Sequence, residues 1–193
     1  MAGLAREAYG PTGDPTRHLS LRALREQWEK LPQSETETGR LRFIARRLAN
    51  GQREPLSEAR LLVEEGLEGD GWSRRPPRDP EAQLAVMAHP VAALIANGQP
   101  LTVFGDNLFV DLDITMTNLP TGSHLRVGEA EVVVSPKPHT GCAKFHRRFG
   151  DDALRFVQWS GYRTHRLRGV FWRVIASGVV WQDAPISVLQ RGP

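Results

Sequence analysis

The stretch SPKPHTGCAKFHRRFG, Ser135 to Gly150, gathers most of the residues in this chain that could do chemistry. It holds the only cysteine, Cys142, with two histidines, His139 and His146, and two of the three lysines, Lys137 and Lys144. A free cysteine is among the most buried residue types, so packing alone is one reading of a lone thiol. Its neighbours point elsewhere: His139, Thr140, Gly141 and Lys144 surround it with polar groups directly after the apolar run AEVVVS. That places it at the end of a strand, where sites are commonly built.

Three kinds of chemistry suit the segment. A thiolate is the reactive form of cysteine, and the pKa of a free thiol, about 8.5, falls beside cations or at a helix N-terminus. A helix starting near Cys142 supplies the amides, and Lys137, Lys144, Arg147 and Arg148 supply the charge, which also suits an anionic small molecule. As a metal site, His139, Cys142 and His146 read H-x2-C-x3-H, with Cys142 and His146 on one helix face, a partial match to zinc. As phosphate chemistry, Cys142 and Arg148 match C-x5-R, but such a loop favours small residues, and Ala143 to Arg147 includes Phe145 and His146 and no glycine.

The elements that must position this segment are mostly short strands. Residues 1–17, with PTGDP and little apolar periodicity, read as a flexible tail. Leu21, Leu24, Trp28 and Leu31 have helical spacing, ended by Pro32, so residues 18–38 read as a helical extension. From Gly39 the chain alternates, and Asn50-Gly51 signals a two-residue hairpin into Gln52 to Leu56. QLAVMA predicts a buried strand and HPVAALIANG a helix stopped by Gly98. LTVFG, LFVDLDI, SHLRVG, AEVVVS, GVFWRVIAS and VVWQDAPISVLQ predict strands, with DDALRFVQWS a helical interruption. Asp70 reads as a turn residue bonded to its own backbone, and Trp159, Trp172 and Trp181 as core.

The chain of 193 residues, 40% apolar and 24% charged, suits one domain with a real core. A net charge of +3, carried almost wholly by scattered arginines, fits anionic small molecules at least as well as nucleic acid. No apolar run reaches the roughly 18 residues needed to span a bilayer. A lone thiol and an N-terminus without an apolar signal region point to the cytoplasm.

The order of motifs, GLEGD at Gly66 to Asp70, FGDNL at Phe104 to Leu108, HLRVGEAEVVVS, the cysteine segment and GVFWRVIASGVV, resembles the MOSC family, the C-terminal domain of molybdenum-cofactor sulfurases. The resemblance runs over about 39–193 and implies a mainly β fold with a few helices, a MOSC-type β-barrel. It implies that Cys142, which matches the family's hallmark cysteine, sits in a basic cleft and acts with His139. On that basis Asn107, in the G-[DE]-N-L turn, and Lys137, Thr140, Lys144 and Arg148 are the expected cofactor-binding residues. The family implies a sulfur carrier that holds a cysteine persulfide loaded by a cysteine desulfurase. Alternatively it implies a reductase of N-hydroxylated compounds, with molybdenum cofactor bound through Cys142 and an electron-transfer partner. A non-catalytic module binding an anion or a protein is the third expectation. Many members have Pro-Cys, where this chain has Gly141 before Cys142.

Overall fold

The computed structural model describes residues 10–74 and 76–193. The strands are β1 (Thr38–Arg47), β2 (Arg53–Leu56), β3 (Glu58–Leu62), β4 (Gly66–Leu67), β5 (Leu84–Ala88), β6 (Leu108–Asp111), β7 (His124–Val127), β8 (Ala130–Val134), β9 (Val170–Ala176), β10 (Gly178–Trp181) and β11 (Pro185–Gln190). Among the described residues three α-helices accompany them: α1 (Leu21–Trp28), α2 (His89–Ala96) and α3 (Ala143–Gln158).

Seven strands close into a barrel in the order β11-β7-β8-β9-β5-β6-β1, with β1 pairing back onto β11. Closure removes free sheet edges, which short amphipathic strands otherwise expose. Neighbours are antiparallel except β5 and β6, which run parallel. A parallel pair needs a crossover, and α2 supplies it. Its first turn carries Pro90, and its C-cap Asn97 is left-handed at φ 46°. The hairpin strand β2 hangs on β1, and β10, β3 and β4 form a small second sheet.

Apolar residues on alternate sides of the barrel wall make two cores. Leu84, Val86, Val110 and Trp172 fill the interior, while Met87, Phe104, Phe109 and Phe149 fill the layer between wall and helices. That is why LAVMA reads as a nearly continuous apolar run: β5 is buried on both faces.

Several expectations are corrected. LTVFG is not a strand; Leu101–Val103 form a single 3-10 turn after Pro100. The loop between β1 and β2 is longer than two residues: Leu48 N donates to Gln52 O, and Gly51 takes the left-handed position at φ 85°. VVWQDAPISVLQ divides into β10 and β11 at Asp183, φ 65°. Only Trp172 of the three tryptophans is core; Trp159 and Trp181 are 44% and 37% exposed.

The tail is packed where it is described; its first nine residues lie outside the described residues. Asp14 caps Pro15–Arg17 through Thr16 N, and its own amide donates to Gln99 Oε1 at 2.7 Å. Gly13 crosses α3 so closely that a Cβ there would lie 1.7 Å from the Arg148 carbonyl oxygen. The glycines that suggested looseness serve a close approach instead.

Candidate functional site

The cysteine segment leaves β8 and crosses the mouth of the barrel without regular structure. Ser135 anchors its start, donating from Oγ to Glu81 O at 2.6 Å, and its amide donates to Phe171 O. Cys142 is the N-cap residue of α3 and is exposed. Its carbonyl accepts from His146 N at 3.0 Å, so the amides of the first turn have no partner inside the helix. Gly141 packs on the far half of the same helix: a Cβ would lie 2.4 Å from Leu154 Cδ1, and its carbonyl accepts from Gln158 Nε2 at 2.9 Å. Glycine fits this seat, where a Cβ would have no room.

The helix breaks at Gly150, φ 83° and ψ 175°, which exposes backbone acceptors on the preceding turn. His18 Nε2 donates to one of them, Arg148 O, at 3.0 Å. The break thus links the N-terminal segment to the residue that closes one side of the cysteine cleft.

Cys142 opens on a cleft of about 350 Å³. Six cations line it, Arg47, Arg53, Lys137, Lys144, Arg148 and Arg168, and no Asp or Glu among the described residues does. Clustered charge of one sign over low-dielectric walls concentrates field, so the cleft attracts anions. Arg148 is buried, and that burial lowers its pKa.

The turn Gly105-Asp106-Asn107 forms successive layers beneath. Gly105 lines the cleft, and a Cβ there would meet Arg148 Nη1 at 3.1 Å. Asp106, fully buried, accepts from Arg168 Nη1 at 2.8 and 3.0 Å. Burial by itself raises a carboxyl pKa, but the charges of Arg168 and Arg47 outweigh it and hold Asp106 below the usual range. Asn107 lies deeper, wholly buried, clamping three strands: Oδ1 accepts from Ala85 N at 3.2 Å and Nδ2 donates to Ala45 O at 3.3 Å. Asn107, which the resemblance offered as a cofactor-binding residue, lies beneath the cleft lining, where its Oδ1 also accepts from Arg47 Nη2 at 3.4 Å.

His139 lines the cleft, its ring 4.2 Å from that of Phe171. Its side chain is 8% exposed. Burial first, then the positive charge of Arg168, pushes its pKa down to about 3, with Asp106 acting the other way. Nδ1 lies 3.7 Å from Asp106 Oδ1, too far for a hydrogen bond, and the neutral ring forms no ion pair. His139 therefore stands in the cleft as a neutral ring at neutral pH.

That burial has a measurable consequence. Between pH 6.5 and about 3 the unfolded chain protonates His139 and the folded one does not, so stability is fully present above the unfolded pKa and falls as pH falls. The loss from this group approaches about 1.4 kcal/mol per pH unit within the window. Urea unfolding of wild type and His139→Gln from pH 7 to 4 should show a shallower decline in the variant; equal slopes would contradict the assignment. Half-buried His89, whose pKa is also lowered, and the lowered Asp70 are common to both proteins, so the difference in slope reports His139.

Of the other expected residues, Thr140 and Lys144 line the cleft, while the Lys137 ammonium pairs with Asp79. His146 is exposed and lies outside the lining, and among the described residues no three His, Cys, Asp or Glu side chains cluster as a metal site. The zinc trio is thus not assembled. Nor is there a phosphate-cradling loop, since Ala143 to Arg148 is helical. The sequence did not single out Arg47, Arg53 or Arg168, which distant strands and turns bring in. Asp70 is more than a turn residue: besides Trp72 N it accepts from Arg47 N at 2.7 Å and pairs with the Arg47 guanidinium.

A family model for the MOSC domain matches residues 56–187. The chain belongs to the MOSC family. The barrel extends beyond that match, since β1 begins at Thr38 and closes it. No curated protein matches the chain. Among solved structures, one described as a hypothetical protein is 26% identical, with a TM-score of 0.61 over 80% of this chain and 70% of that one. YiiM from Escherichia coli is also 26% identical, with a TM-score of 0.53 over 83% and 72%. The YUAD protein from Bacillus subtilis, 14% identical, shares the fold at a TM-score of 0.58 over 80% of this chain and 97% of that one. No helix of this MOSC protein is long and apolar enough to cross a membrane among the described residues.

Proposed function

We propose that this MOSC protein is a sulfur carrier, with Cys142 as the residue that takes the sulfur. The observation behind it is one exposed thiol at the mouth of a cleft that, among the described residues, is lined by six cations and no carboxylate. The Cys142 thiolate attacks the terminal sulfur of a persulfide on a cysteine desulfurase. The donor's S–S bond breaks, its cysteine leaves as a thiolate, and a persulfide forms on Cys142 with no net oxidation. Lys144 and Arg148 flank the anionic terminal sulfur, and His139 orients it as a neutral hydrogen-bonding partner. A lone thiol with this role belongs in a reducing compartment such as the cytoplasm.

Incubation with a desulfurase and cysteine, followed by intact-mass measurement, is expected to add one sulfur atom, retained in His139→Gln and absent in Cys142→Ser. Wild-type protein that gains no sulfur would overturn the proposal.

The same residues fit a molybdenum cofactor, which the family is associated with. Cys142 is a soft ligand open to the cleft, and Lys144 and Arg148 would hold the cofactor's phosphate. Bound there, it would supply the redox chemistry of a reductase acting on N-hydroxylated compounds. Stoichiometric molybdenum in protein from a cofactor-producing host, lost in Cys142→Ser, would favour this reading over the carrier.

A further inference from the structure

The segment Lys137–Thr140 and Arg168 line a second groove as well as the cysteine cleft. This groove, about 590 Å³, lies against the end of α3 and the turn Ser160–His165. Its walls are largely apolar, with Met116 and Trp159 each 44% exposed in it. The Trp159 ring is fixed in place, with the Arg25 guanidinium 4.4 Å over it and the Tyr162 ring 4.5 Å away, edge on. Large aromatic and thioether surfaces left open beside a cavity gain from covering by a flat apolar group.

The shared wall gives the groove a polar end. Arg168 stands at that wall with its charge already met by the buried Asp106 carboxylate, at 2.8 and 3.0 Å. Arg163 and Arg166 also line the groove, and among the described residues no Asp or Glu does. Arg166 donates to the carbonyls of Ile114 and Leu119, at 3.2 and 2.6 Å, so its held charge is not cancelled by a carboxylate. A bare inorganic anion would gain nothing from the apolar walls, and a neutral ring would make no charge-assisted hydrogen bond to the arginines.

We infer that this groove is a binding site for an aromatic carboxylate, its ring against Trp159 and Met116 and its carboxylate toward Arg166. The site is separate from the thiol of Cys142 and does not depend on sulfur transfer.

Calorimetric titration of the full chain with naphthoate and with naphthamide, the same ring without the charge, tests it. Naphthoate is expected to bind about tenfold tighter or more, the factor that one charge-assisted hydrogen bond carries. Met116→Glu should weaken naphthoate about tenfold more than it weakens naphthamide, because it adds charge repulsion to the lost apolar contact, and Trp159→Ala should weaken both alike. Cys142→Ser should bind naphthoate as wild type does, even if no sulfur is ever loaded on Cys142. No saturable binding, equal affinity for the acid and the amide, or naphthoate binding unmoved by both groove variants would overturn the inference.

Discussion

Asp106→Ala should destabilise the folded protein by about 3–5 kcal/mol, the range seen when one partner of a buried ion pair is removed. Asp106 is fully buried, and its carboxylate accepts from Arg168 Nη1 at 2.8 and 3.0 Å. Without it a guanidinium remains in the protein interior, packed 5.0 Å over the Phe145 ring, with no counter-charge in contact. Asp106→Asn keeps a hydrogen-bond acceptor and should cost less. Urea unfolding measures both, and a loss below about 1 kcal/mol for the alanine variant would mean that Arg168 finds other compensation. Because Arg168 lines both the cleft and the groove, the variant should also weaken anion binding at conditions where it stays folded.

Gly169→Ala should be nearly as damaging for a different reason. Gly169 sits at φ 95°, and a Cβ there would lie 2.1 Å from the carbonyl oxygen of Val86 on β5. Either cause alone costs about 1–3 kcal/mol, and at this position they act together. Relief requires the start of β9 to move off β5, and Arg168 moves with it. An unfolding midpoint unchanged in Gly169→Ala would contradict the tight approach of these two strands.

What was legible in the sequence follows from how far apart the parts of each feature lie. His139, Thr140, Cys142, Lys144 and Arg148 stand in one short segment after an apolar run, so local order alone places them together. Arg47, Arg53 and Arg168 reach the same cleft only because β1, β2 and the approach to β9 are brought round by barrel closure, which no local spacing records. Asn107 was visible as a motif residue, but the motif could not distinguish a group that touches a ligand from one that ties β1, β5 and β6 together beneath it. The apolar run LTVF was too short to separate strand from turn. Gly13 carries the opposite lesson: a glycine read as freedom is required by contact with the Arg148 backbone.

The barrel thus does two things for Cys142. It presents the thiol at the start of α3, and it gathers arginines from separate strands around it while their carboxylate partners Asp70 and Asp106 stay below the surface of the cleft. A persulfide, a cofactor phosphate and an anionic substrate would all draw on that arrangement.

The charge selectivity of alkylation tests it most directly. The rate ratio of anionic iodoacetate to neutral iodoacetamide at Cys142, divided by the same ratio for N-acetylcysteine, should exceed unity by on the order of tenfold at low salt. It should fall toward unity near about 1 M salt, where the screening length is about 3 Å. A normalised ratio of one at low salt would contradict an anion-holding cleft around Cys142.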